Sequence, residues 1–120
     1  MPVPAHDKPL IPQPPATVSA LRKAIMEVNP AWLPEFTRDL GEAVEKAESE
    51  GSFVPFRSFC LYWGAYVYIY RQPELASRFQ ELEDRATKGK HGIDEVRAAA
   101  SEIGRILDEA YAAVLEDMRS

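Results

Sequence analysis

The chain reads as an all-α protein, a compact bundle of about five helices behind an extended, proline-rich N-terminal arm. Three observations carry that reading. Apolar residues recur at steps of three and four through most of residues 17–119, the period of a single buried helix face. Six of the ten prolines lie in residues 1–16; of the others Pro34, Pro55 and Pro73 stand at the starts of periodic segments, where a helix tolerates them, and Pro30 follows the end of one. Eight of the twelve aromatic residues fall between Phe53 and Tyr70. A helix that is apolar all round must be covered on more than one side.

Residues 1–16 form the arm and residues 17–120 a single helical domain that ends in a long helix, 94–119. Proline fixes φ and removes an amide donor, so the arm is expected to be extended and polyproline-like. A free leader is the preferred reading, and an arm laid across the domain the other.

Thr17 is the expected N-cap of a first helix over 17–28, with Val18, Leu21, Ile25 and Val28 on its inner face. Asn29-Pro30 should end it, because the residue before proline disfavours α geometry. Pro34 restarts a helix over 34–50, whose inner face is Phe36, Leu40, Val44 and Ala47 and whose stop is Gly51. The outer face of this second helix is acidic, relieved by a Glu42 to Lys46 pair.

The aromatic segment has a tail, AYVYIY, with strong β propensity. Its length and spacing favour a helix over 55–70. Phe56, Phe59, Trp63, Tyr66, Val67 and Tyr70 share one face, while Leu61, Gly64, Ala65 and Tyr68 form a second stripe. Small residues at Gly64 and Ala65 allow another helix to approach closely, so this helix is expected to be sandwiched. If nothing in the chain covers the second stripe, it becomes an interaction site.

Pro73 begins a fourth helix, 73–88, with Gln72 at its cap and Leu75, Phe79, Leu82 and Ala86 inward. Glu74–Arg78, Glu81–Arg85 and Asp84–Lys88 are spaced as i,i+4 pairs. The run KGKHG is a turn, and Asp94 should cap the last helix. There, Val96, Ala100, Ile103, Leu107, Ala110 and Val114 make a heptad seam, widened by Ile106, Tyr111 and Met118. Such a seam can fold back on its own bundle or pair with another chain.

Net charge is −5, concentrated in residues 30–51 (six acidic, two basic) and 91–120 (seven acidic, three basic). No stripe of Lys and Arg is dense enough to neutralise a phosphate backbone, so direct nucleic-acid binding is not expected. No apolar run is long enough for a membrane span, and the N-terminus lacks the pattern of a secretory signal. A cytoplasmic location is the simplest reading. Cys60, the single cysteine, cannot form an internal disulfide and sits in an apolar helix that suits an inert thiol.

Chemistry-bearing constellations are sparse. His6 lies in the arm and His91 in a glycine-flanked turn, neither with a second metal ligand at helical spacing. No phosphate-cradling glycine loop, nucleophile elbow or zinc-helix motif is present. No catalytic residue, cofactor or metal is therefore expected, and a non-catalytic role is the working expectation.

The stretches Ala20-Leu21-Arg22-Lys23-Ala24-Ile25 and Leu33-Pro34-Glu35-Phe36 are followed by an acidic, alanine-bearing helix, then Trp63, then Arg71-Gln72-Pro73-Glu74. Over about residues 17–85 this order resembles a family of small helical proteins of actinobacteria, some encoded beside RelE/ParE-type toxins. The long helix 94–119 departs from the shorter members. The resemblance implies an antitoxin-like module that docks a basic protein partner. Ile103, Leu107, Tyr111 and Val114 would then form the apolar contact, with Glu102, Asp108 and Glu109 steering. Two alternatives stand beside it. One is a homodimeric scaffold held by the same seam. The other is a small-ligand binder using Tyr66, Tyr68 and Tyr70 beside Arg57 or Arg71.

Overall fold

A computed structural model describes residues 8–87, 89 and 91–119. Five α-helices follow in order: α1 (Val18–Val28), α2 (Leu33–Glu50), α3 (Val54–Tyr70), α4 (Pro73–Thr87) and α5 (Ile93–Arg119). A single 3₁₀ turn, Pro30–Trp32, joins α1 to α2. No strand occurs among the described residues, so the AYVYIY tail is helical despite its β propensity.

The boundaries follow from local chemistry. Thr17 is extended (φ −119°, ψ 155°) and its hydroxyl accepts from the Ala20 amide at 3.3 Å, capping α1. Asn29 closes α1 through its amide to the Ile25 carbonyl. The chain does not pass straight into α2 there. Pro30 opens a tight turn that swings Trp32 toward α3 before Pro34 enters the first turn of α2. Gly51 ends α2 at φ 63°, a left-handed conformation that a side chain would strain. The last helix starts one residue earlier than its acidic residues suggest. The Gly92 carbonyl accepts the first helical bond, from Val96, and Asp94 sits inside the first turn.

α3 is the centre of the molecule and packs against each of the other four helices. On one side Phe59, Trp63 and Val67 meet Leu21 and Ile25 of α1 and Phe36 of α2. On the other, Ala65 and Ile69 meet Phe79 of α4 and Ala110 of α5, with Ile103, Leu107 and Tyr111 packed around them. α5 comes so near that a Cβ on Gly64 would lie 3.0 Å from Val114 Cγ1. The small residues of the second α3 stripe are the recess that receives α5.

Several finer expectations are corrected. Val44 is exposed, because α2 runs past the core at its C-terminal end and Ala43 packs inward instead. At the start of α5 the buried residue is Ala99 and Ala100 is exposed, so the inward line there runs through Val96, Ala99 and Ile103 rather than through Ala100. Lys46 pairs with Glu50 at 4.0 Å, away from Glu42. Arg78 reaches across to Glu102 of α5 through two hydrogen bonds of 2.7 and 3.0 Å, tying α4 to α5. Arg85 does pair with Glu81, as spaced. Lys88 lies outside the described residues, as does His6.

The described part of the arm, residues 8–16, is laid across the domain. The Leu10 amide donates to the Arg71 carbonyl at 2.7 Å, the Arg71 guanidinium donates to the Ile11 carbonyl at 3.3 Å, and the Gln13 side chain donates to the Gly64 carbonyl at 3.3 Å. Ile11 and Ala16 pack onto the α1–α3 core. The arm is thereby fixed along α3.

Candidate functional site

The turn at Pro30–Trp32 creates the most distinctive surface feature. Trp32, held between two prolines, projects onto the outward rings of α3. Its ring centroid lies 4.5 Å from that of Tyr70, 5.9 Å from Trp63 and 6.0 Å from Tyr66, all in edge-on arrangements. Tyr62 adds a fourth wall, 4.9 Å from Tyr66. These residues line a crevice of about 210 Å³ whose rim carries Glu35 from α2 and Glu83 from α4. Tyr62, Tyr66 and Tyr70 are spaced by four residues, so one helix face presents all three.

Hydrogen bonds fix the walls. Trp63, only 3% exposed, forms part of the floor and donates its indole N–H to Asp39 Oδ2 at 3.3 Å. The Tyr62 and Tyr66 hydroxyls face each other, and that of Tyr70 faces the Gln80 side chain. Burial pushes all three phenols above their ordinary range, and the nearby Glu83 carboxylate pushes in the same direction. Glu83 is itself raised, first by burial and then by the charge of Asp84. It has no ion pair among the described residues.

The residues singled out from sequence are distributed differently. Val114 of the α5 seam is 2% exposed, and Ile103, Leu107 and Tyr111 pack on the α3–α4 core. Asp108 and Glu109 are exposed on the other side of α5, while Glu102 is held by Arg78. Of the second α3 stripe, Gly64 and Ala65 are buried and Leu61 and Tyr68 are half-buried, so α5 and the arm supply the cover. The cluster of Tyr66, Tyr68 and Tyr70 is split by the helix. Tyr66 and Tyr70 line the crevice, whereas Tyr68 lies under the Arg71 guanidinium at 5.5 Å. Arg57 is exposed. Cys60 is buried, and burial pushes its thiol up. His91 is exposed and bonds Glu95 at 2.6 Å, an i,i+4 partner that the turn reading overlooked.

Trp32 and Glu83 were not singled out from sequence. Trp32 has a signal, an aromatic residue between two closely spaced prolines. Glu83 has none, because only the packing of α4 on α3 brings it to Tyr66.

A larger hollow of about 480 Å³ lies between α4 and α5, but its polar groups are already engaged, Arg78 with Glu102, Arg85 with Glu81 and His91 with Glu95. No group of His, Cys, Asp and Glu suited to a metal occurs among the described residues. Among the described residues no helix is long and apolar enough to cross a membrane. No family model, curated protein or solved structure matches the chain.

Proposed function

We propose that this protein is a non-catalytic interaction module that docks a basic protein partner on the acidic outer surface of α2. The observation that carries the reading is an apolar patch set among unpaired carboxylates. Phe53 is 86% exposed at the α2–α3 corner, next to exposed Val54, and Val44 of α2 is exposed as well. Phe53 and Glu48 line one shallow hollow with Ala47. Glu42, Glu45 and Glu48 are exposed and have no ion pair among the described residues. An exposed aromatic anchor at the end of a predominantly acidic helix suits a partner of opposite charge, the carboxylates governing encounter and the apolar group residence.

This surface replaces the α5 seam as the apolar part of the interface, since the seam side chains are packed on α3 and α4. A homodimer held through the seam meets the same difficulty. A basic toxin of the RelE/ParE kind is the partner class that the sequence resemblance implies, and it is the first to test. Co-purification with the tagged full chain should be salt-sensitive and lost in both Phe53→Ser and the triple Glu42→Lys/Glu45→Lys/Glu48→Lys variant. Retention of the partner by both variants would exclude this surface.

A further inference from the structure

We propose that the crevice walled by Trp32, Tyr62, Tyr66 and Tyr70 is a binding site for an organic ammonium ion, with Glu83 as its counter-charge. The inference is independent of the α2 surface and concerns a different class of ligand. Aromatic faces attract cations through the ring quadrupole, most strongly where water is excluded. Here four such rings converge with Trp63 beneath them. Trp32 meets Trp63, Tyr66 and Tyr70 at interplanar angles of 68°, 86° and 68°. Walls that meet near right angles enclose a rounded head group. A flat guanidinium stacks better in a slot between parallel rings.

No described residue supplies a cation to this enclosure. The two cation–π contacts among the described residues are Arg22 on Phe36 and Arg71 on Tyr68, both elsewhere. Arg38 of α2 is 65% exposed and turned to Glu35 and Asp39 at 3.8 and 3.7 Å. Glu83 is left half-buried with no ion pair among the described residues, and a carboxylate in that setting is stabilised by an incoming positive charge. The room, about 210 Å³, falls below the range of about 300–1,000 Å³ typical for drug-sized ligands, which limits the occupant to a small head group. With the Tyr62 and Tyr66 hydroxyls turned to each other and that of Tyr70 to Gln80, recognition rests on ring faces and charge. A methylated ammonium, which offers no N–H donors, is suited to that chemistry.

Both tryptophans of the chain line the crevice, so intrinsic fluorescence reports on it directly. Tetramethylammonium and choline chloride should each give a saturable change in tryptophan emission. Sodium chloride at equal ionic strength, and 3,3-dimethylbutanol, the neutral analogue of choline, should not. Glu83→Gln, which keeps shape and removes charge, should weaken choline binding by about tenfold, the scale of a desolvated cation contact. Trp32→Leu should abolish saturation, with circular dichroism confirming that the helices remain. A trimethyllysine peptide added in parallel separates the sources. Tighter binding of the peptide than of choline assigns the site to a partner's modified side chain, and equal or weaker binding assigns it to a free metabolite-sized cation. The absence of a saturable choline signal, an equal response to the neutral analogue, or unchanged affinity in Glu83→Gln would overturn the proposal.

Discussion

On one side α3 presents Phe59 and Trp63 to α1 and α2, with Tyr66 and Tyr70 between Trp32 and Phe79 of α4, whereas on another it presents Gly64 and Ala65 to α5. The two sides close by different means. Small residues let the α5 backbone draw near enough for Val114 to fill the recess, and that side is sealed. Large rings meeting edge to edge do not tile a surface, and on that side a crevice remains between Trp32, Tyr62 and Tyr66. A densely aromatic helix can therefore be both the core of a small protein and the wall of a binding site. Which role a residue takes depends on what the neighbouring helix offers it.

Substitutions can break each side separately. The largest effect is expected from Phe36→Ala, because Phe36 is fully buried with ring centroids 5.1 Å from Phe59 and 5.4 Å from Trp63. Removing it should lower unfolding free energy by about 3–5 kcal/mol in urea denaturation. Next is Gly64→Leu, which drives a side chain into Val114 on the sealed side. A loss of about 1–3 kcal/mol is expected, partly recovered in the double variant with Val114→Ala. Additive losses in that double-mutant cycle would show that the two residues do not share one recess.

Smaller effects of opposite sign are expected from two glutamates. The carboxyl of Glu83, beside the crevice, is raised by burial and then by Asp84. A raised acid contributes stability that is complete below its unfolded pKa and is lost as pH rises through the folded value. Glu83→Gln should therefore be more stable than the parent at neutral pH, and the difference should vanish in acid. Glu102, across the molecule, is lowered by its hydrogen bond and charge interaction with Arg78. Its stability is present above the unfolded pKa and is lost as pH falls through the folded one, so Glu102→Gln should be the less stable at neutral pH. Thermal unfolding from pH 3 to 8 distinguishes the two, since both glutamates titrate within or near that window (ordinary carboxylates near pH ~4). The Glu102 effect should be the smallest of the set, because the pair faces solvent.

Much of this architecture is written in local chemistry. Thr17, Pro34 and Gly51 mark helix ends by mechanisms that act within a few residues, and the structure places a boundary at each. The close approach at Gly64 follows from residue size alone. What the sequence does not carry is registration between distant segments. Glu102 and Arg78 are neighbours only because α5 folds back on α4, and Glu83 reaches Tyr66 only because α4 lies beside α3. The tyrosine cluster illustrates the same point within one helix. Tyr66, Tyr68 and Tyr70 stand together in the sequence, but residues two apart on a helix do not share a face, and Tyr68 goes to Arg71. Tyr62, four residues before Tyr66, is the wall that helical spacing points to.

The difference between the open and the sealed side of α3 is tested most directly by an amide and indole NMR titration of the full chain with tetramethylammonium chloride. The expected result is saturable shifts at the Trp32 and Trp63 indole N–H groups and at Tyr62, Tyr66 and Glu83, with Gly64, Ala110 and Val114 unmoved. Shifts centred on α5, or none beyond those caused by sodium chloride at equal ionic strength, would contradict it.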